Sequence, residues 1–138
     1  MMSREQFFEF VAPYYAKLVP VVKKAGILQM VDTDGDVSGV IPWFEEAGVQ
    51  GCLPLERMAG VDVNKIRKEH PKWRMIGGFD KTLIRLGEPA IRAEFERLLP
   101  VMKSGGYIPT ADHQTPPDVS LEAYKTYVSI LKEYSSMI

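Results

Sequence analysis

Apolar residues recur along the first segment at Phe7, Phe10, Val11, Tyr14, Leu18, Val21 and Val22, the three- and four-residue spacing of a helix with one greasy side. Ser3 and Gln6 stand three apart just before this stripe and match a capping box, so the start is marked. Pro13 and Pro20 each lack a backbone donor and should kink or interrupt the helix, which Gly26 ends. The period then changes. Ile27-Leu28-Gln29-Met30-Val31 is a short apolar run, the pattern of a buried parallel strand, closed by Asp32-Thr33-Asp34-Gly35-Asp36.

The alternation repeats three more times. Val37, Val40, Ile41, Phe44 and Ala47 share one helical face, with Pro42 in the first turns and Gly48 as the stop. Val49 to Leu55 reads as a strand ending in Glu56, and a short helix begins at Asp62 and carries Val63 and Ile66 before Pro71. Trp73 to Phe79 is a strand ending in Asp80. The next helix starts at Glu88-Pro89, with Ile91, Phe95, Leu98, Leu99 and Met102 on one side, until Gly105-Gly106 break it. Tyr107-Ile108-Pro109 is the fourth strand; a polar, proline-rich loop over 110–117 leads to a helix faced by Leu121, Tyr124, Tyr127, Val128, Leu131 and Tyr134. One helix followed by four strand-helix units implies parallel pairing with right-handed crossovers, an α/β class.

Composition narrows the function. The 138 residues hold 46% hydrophobic and 25% charged side chains, ordinary for one globular domain over 1–138. Lys plus Arg number 17 against 18 Asp plus Glu, a net charge of −1, which argues against nucleic acid as the main partner because phosphate binding needs a basic excess. No apolar run approaches the ~18 residues of a membrane span, and the first residues lack a signal-peptide core, so a cytoplasmic protein is expected. The single cysteine, Cys52, excludes an internal disulfide and a zinc site built from cysteines of one chain. Within its apolar strand it reads as a small core residue rather than a nucleophile.

Parallel α/β folds bind ligands beyond the carboxyl ends of their strands. Each strand here ends in ionisable groups: Asp32 and Asp34, then Glu56, then Asp80, then Asp112 and His113. The sheet would bring these five carboxylates and one imidazole to one rim, a set suited to cationic or NH-bearing ligands, acid-base work or metal ligation. Asp32 and Asp34 would point to the same side of an extended segment. Asp36 or Ser38 is expected to cap the second helix and Asp62 the third. Glu56-Arg57 and Asp80-Lys81 read equally as pocket groups or as surface pairs. His113 beside Asp112 reads as functional, whereas His70, just before Pro71, does not. Gly77-Gly78 and Gly105-Gly106 lack the spacing of a phosphate-cradling motif. Trp43, Trp73 and the Tyr124, Tyr127, Tyr134 series read as packing.

Several motifs in fixed order carry a resemblance. Asp32-Thr33-Asp34-Gly35-Asp36, Gly48-Val49 with Pro54-Leu55-Glu56, Gly60-Val61-Asp62-Val63, Ile76-Gly77-Gly78-Phe79-Asp80-Lys81 and Gly105-Gly106-Tyr107-Ile108-Pro109 precede Asp112-His113 and Pro116-Pro117-Asp118-Val119-Ser120. The series resembles the carboxyl-terminal half of the uroporphyrinogen decarboxylase family, which includes corrinoid-linked methyltransferases. The resemblance implies the last four strands of an eight-stranded TIM barrel. In the decarboxylase branch it implies an active-site role for His113, pocket-lining acids at Glu56 and Asp80, and no cofactor; the strand-end reading adds Asp34 as a catalytic residue and Asp32 and Asp112 toward a tetrapyrrole-like substrate. In the methyltransferase branch it implies that Asp32, Asp34 and His113 stand where a His, a Cys and a Cys hold zinc, and a methyl-corrinoid protein as partner. Two hard carboxylates and an imidazole are a poor match to thiolate-type zinc chemistry.

The family's Arg-rich amino-terminal segment and its substrate-binding Asp have no counterpart in these residues. A TIM barrel needs ~250 residues, so a half-barrel is expected to leave two edge strands and an open apolar face. Two completions follow: a homodimer of half-barrels related by a two-fold axis, or a separate amino-terminal half. The function expected is a decarboxylase-like active site that is partial in a lone chain; the alternatives are the metal-dependent methyltransferase and a non-catalytic half-barrel.

Overall fold

The computed structural model describes residues 2–138. Four parallel strands form one open sheet in the order β1-β2-β3-β4: β1 Met30–Asp32, β2 Gly51–Leu55, β3 Arg74–Phe79 and β4 Tyr107–Ala111. They alternate with α3 Ile41–Glu46, α4 Val63–Glu69, α5 Glu88–Lys103 and α6 Leu121–Ser135, after an amino-terminal helical rod. This is the α/β arrangement expected of half a (β/α) barrel.

The rod begins as α1 Arg4–Gln6, where Ser3 and Gln6 make the reciprocal bonds of a capping box. It passes through a π-helical stretch, Phe7–Val11, into α2 Ala12–Lys24. The wider π turn falls just ahead of Pro13, which has no N–H to give to a regular ladder. Pro20 does not interrupt the rod: α2 continues to Lys24, and Gly26 at φ +71° turns the chain out of it.

The first strand is later and shorter than the apolar run suggests. Its ladder opens with Met30 opposite Gly51, because β2 begins there, and leaves Ile27 and Leu28 exposed. Asp36 does not cap a helix either. Its Oδ1 accepts from the Ser38 amide at 2.9 Å in a local turn, and α3 starts at Ile41 with Pro42 in the first turn, where a missing N–H costs nothing. Asp62 does cap α4, accepting from the Asn64 amide. Two 3₁₀ helices absent from the periodicity reading, Arg57–Ala59 and Lys81–Leu86, follow β2 and β3 and shape the carboxyl rim.

Strand alternation sorts the sheet into two faces. Val31, Cys52, Met75 and Tyr107 lie in register and face the helices. Behind them Tyr127, Phe79, Phe95 and Tyr134 pack ring against ring in that order, 4.9–5.2 Å between successive centroids. Cys52 is buried and its sulfur accepts from the Trp73 indole at 3.2 Å, so both residues are core; burial pushes the thiol pKa up, against a nucleophilic role. The opposite face carries Met30, Ile76 and Ile108, with no layer over them among the described residues, and forms an open apolar trough with Leu28. Glycine is required at Gly77, where φ is +110° and a Cβ would stand 2.5 Å from the Leu55 amide nitrogen.

Candidate functional site

The carboxyl ends of the four strands bring the expected residues to one rim, with unequal roles. Asp34 and His113, 79 positions apart, meet directly: His113 Nε2 lies 2.8 Å from Asp34 Oδ1. Asp34 follows β1 and His113 follows β4, so the two outer strands of the sheet reach toward each other across its end. The Asp34 carboxylate, accepting from the imidazole, holds the His113 pKa above its ordinary value of 6.5; nearby Glu56 and Asp112 act in the same sense, Lys81 in the opposite one. Both side chains are open to solvent, His113 by 31% and Asp34 by 80%.

Glu56, at the end of β2, turns toward β1, where its Oε2 accepts from the Gly35 amide at 3.4 Å. It steadies the Asp32–Asp36 turn and adds negative potential near the imidazole. Asp32 lies at the end of β1 in register with Leu53, on the open face of the sheet.

Asp80 and Asp112 are engaged by the protein itself. Asp80 caps the 3₁₀ helix after β3, its Oδ1 accepting from the Thr82 amide at 3.0 Å and the Thr82 hydroxyl at 2.6 Å. Asp112 is buried. Its Oδ2 accepts from the Arg57 amide at 3.0 Å, and its Oδ1 pairs with Lys81 Nζ at 3.0 Å. One carboxylate after β4 thereby clamps the segments that follow β2 and β3. The surface-pair reading of Asp80-Lys81 fails because Lys81 turns inward to this charge.

Two further residues support the rim and escaped the sequence reading. Glu94 on α5 is buried, accepts from the Asp80 amide at 3.0 Å, and is held by Arg97 through Nε and Nη2 at 2.8 and 2.6 Å. Arg97 also donates to the Gly78 carbonyl. The available signal was an acid inside an apolar stripe, between Ile91, Phe95 and Leu98, with an arginine three residues on. His70 lies away from the rim, at the end of α4 that leads into β3, with Nδ1 2.9 Å from Glu45.

The zinc-type donor set does not fit. The His113 nitrogen facing Asp34 is already hydrogen bonded to it, and among the described residues no three His, Cys, Asp or Glu side chains gather closely enough to hold an ion. As placed, Asp32, Asp34 and His113 are not gathered as the three-ligand group that the methyltransferase branch implies.

Comparison with known families agrees with the rim motifs. The model of the family described as Uroporphyrinogen decarboxylase (URO-D) matches residues 1–134. The chain belongs to the uroporphyrinogen decarboxylase family. A search of curated proteins returned no match. Family membership accounts for the order of the strand-end motifs and for the four strand-helix units. Among the described residues no helix is long and apolar enough to cross a membrane.

Proposed function

We propose that the chain contributes the rim of a decarboxylase active site, with His113 as proton donor and Asp34 as the residue that positions it. The observation that carries this reading is the 2.8 Å contact between His113 Nε2 and Asp34 Oδ1 at the carboxyl ends of the two outer strands. Decarboxylation breaks a carbon–carboxylate bond, releases carbon dioxide and leaves an electron pair on carbon. The imidazolium gives its proton to that carbon, and water returns a proton to the neutral imidazole. A general acid works best with a pKa near the operating pH, and Asp34 raises that of His113 in this direction. Asp32 and Glu56 offer acceptors to the ring N–H groups of a tetrapyrrole-like substrate. Asp80 and Asp112 hold the pocket walls through the Lys81–Leu86 helix and the Lys81 pair. This chemistry needs no metal or organic cofactor.

The test is carbon dioxide release from uroporphyrinogen by the chain co-produced with the amino-terminal half, through the fourth strand, of a full-length family member. His113→Gln is expected to lower kcat by ~10²-fold or more. Asp34→Asn should cost less, leave KM nearly unchanged and move the pH profile to lower pH. A His113→Gln complex that turns over at the unsubstituted rate contradicts the assignment.

A further inference from the structure

Four charged groups face the His113 ring, one from behind each strand: Asp34 after β1, Glu56 after β2, Lys81 after β3 and Asp112 after β4. Of the three acids, Asp112 is the ring's neighbour in the chain, and its carboxylate is fully buried, where an imidazolium would be a ready counter-charge. The ring pairs elsewhere. Its Nε2 reaches the exposed Asp34 at 2.8 Å, whereas its Nδ1 stays 3.8 Å from Asp112 Oδ1, beyond hydrogen-bond reach.

Lys81 accounts for that choice. Asp112 Oδ2 is taken by the Arg57 amide at 3.0 Å, so Oδ1 is the oxygen left for a cation. Lys81 Nζ holds it at 3.0 Å from a side chain that is itself only 17% exposed. An ammonium stays charged across the pH range in which an imidazole gains or loses its proton. A buried carboxylate is therefore paired at all times by a lysine and only part of the time by a histidine. Lys81 opens the 3₁₀ helix that Asp80 caps, which fixes the origin of its long side chain.

The two ring nitrogens are thus unlike. Nε2 is bound to Asp34, and among the described residues Nδ1 makes no hydrogen bond. We propose that Lys81 is a positioning residue that occupies Asp112 and so keeps Nδ1 of His113 free, and that this nitrogen delivers the proton to the substrate. In the imidazolium, Asp34 holds the Nε2–H. As carbon dioxide leaves, the electron pair of the broken bond stays on carbon. The Nδ1–H bond then breaks, a C–H bond forms with that pair, and Nδ1 keeps the electrons of its own broken bond. The ring is left neutral with its proton on Nε2; water reprotonates Nδ1, and the hydroxide so formed combines with the released carbon dioxide as bicarbonate. Without Lys81, Asp112 would capture the Nδ1–H, and carboxylates would hold the ring at both ends. The delivery step rests on His113 being the proton donor; the hold of Lys81 on the ring geometry does not.

The test is the ring nitrogen-15 spectrum of the chain labelled in histidine, at a pH where the ring is neutral. The chain has two histidines, so His70→Gln assigns the signals. The expected result for His113 is a protonated Nε2 and an unprotonated Nδ1. In Lys81→Met most of the His113 population should carry its proton on Nδ1 instead, and Lys81→Arg, which keeps the charge, should retain the original pattern. In the complex used for the carbon dioxide assay, Lys81→Met is expected to lower kcat by about tenfold or more with KM nearly unchanged, and Lys81→Arg to recover most of the loss. Circular dichroism checks folding, and Lys81→Gln replaces Lys81→Met if that variant unfolds. A proton on Nδ1 in the unsubstituted chain, or an unchanged pattern in the folded uncharged variant, overturns the proposal. The expected ring signals together with full turnover by His113→Gln would overturn the proton-donor reading and leave the hold of Lys81 on the ring standing.

Discussion

At the scale of residues, the site turns on an imidazole and a carboxylate brought from opposite edges of the sheet. His113 has its pKa raised in the folded chain by the hydrogen bond to Asp34. A group with a raised folded pKa adds stability that is complete below its unfolded value and fades as pH rises through the folded one. The Asp34 contact therefore favours the folded chain most on the acid side of the ordinary histidine pKa of 6.5 and weakens toward alkaline pH. The effect on total stability should be small because Asp34 is mostly in water and solvent screens the pair. Asp34→Asn is expected to bring the His113 titration, followed by the ring proton resonances, down toward that ordinary value. An unchanged titration contradicts the contact. His113 and Asp34 were legible in the sequence because each directly follows a strand end, where the topology leaves little choice of place. Lys81, Glu94 and Arg97 were not, because burial of a charge depends on partners that other elements bring to it: Asp112 for Lys81, and the Asp80 amide and Gly78 carbonyl for the Glu94–Arg97 pair.

At the scale of elements, the order of helices and strands followed from periodicity, and the ends did not always. The run from Ile27 to Val31 has the composition of a buried strand, yet β1 begins only at Met30, since a ladder needs a partner and β2 begins at Gly51. The 3₁₀ helices after β2 and β3 are too short to show a hydrophobic period; capping and tertiary ties hold them. Asp112 is the main tie. It fixes the end of β4 to the Arg57 amide and to Lys81, so three strand ends keep one geometry. Asp112→Ala is expected to destabilise the chain by about 3 kcal/mol in urea unfolding, because Lys81 would be left half-buried without its counter-charge. The His113 resonances should shift as well, since the rim that carries them loosens. A loss below about 0.5 kcal/mol would remove Asp112 from this role.

At the scale of the whole molecule, the sheet is the part of the fold that is open. Parallel sheets are normally covered on both faces, and here one face and both edges lack a partner among the described residues. Half of this was legible in advance: 138 residues supply four strand-helix units of a fold that uses eight. The packing of the amino-terminal rod was not, because its apolar stripe alone does not say which neighbour takes it; in the structure Phe7 and Tyr15 pack on Phe44 of α3. Backbone exchange reads the edges most directly. Hydrogen–deuterium exchange of the chain alone, compared with its complex with the four-stranded amino-terminal half, should find the amides of β1 and β4 exchanging faster than those of β2 and β3 when the chain is alone. It should find them slowed at least tenfold in the complex. Edge strands already as protected as the central pair in the lone chain, and unchanged on mixing, would contradict an open four-stranded sheet with unpaired edges.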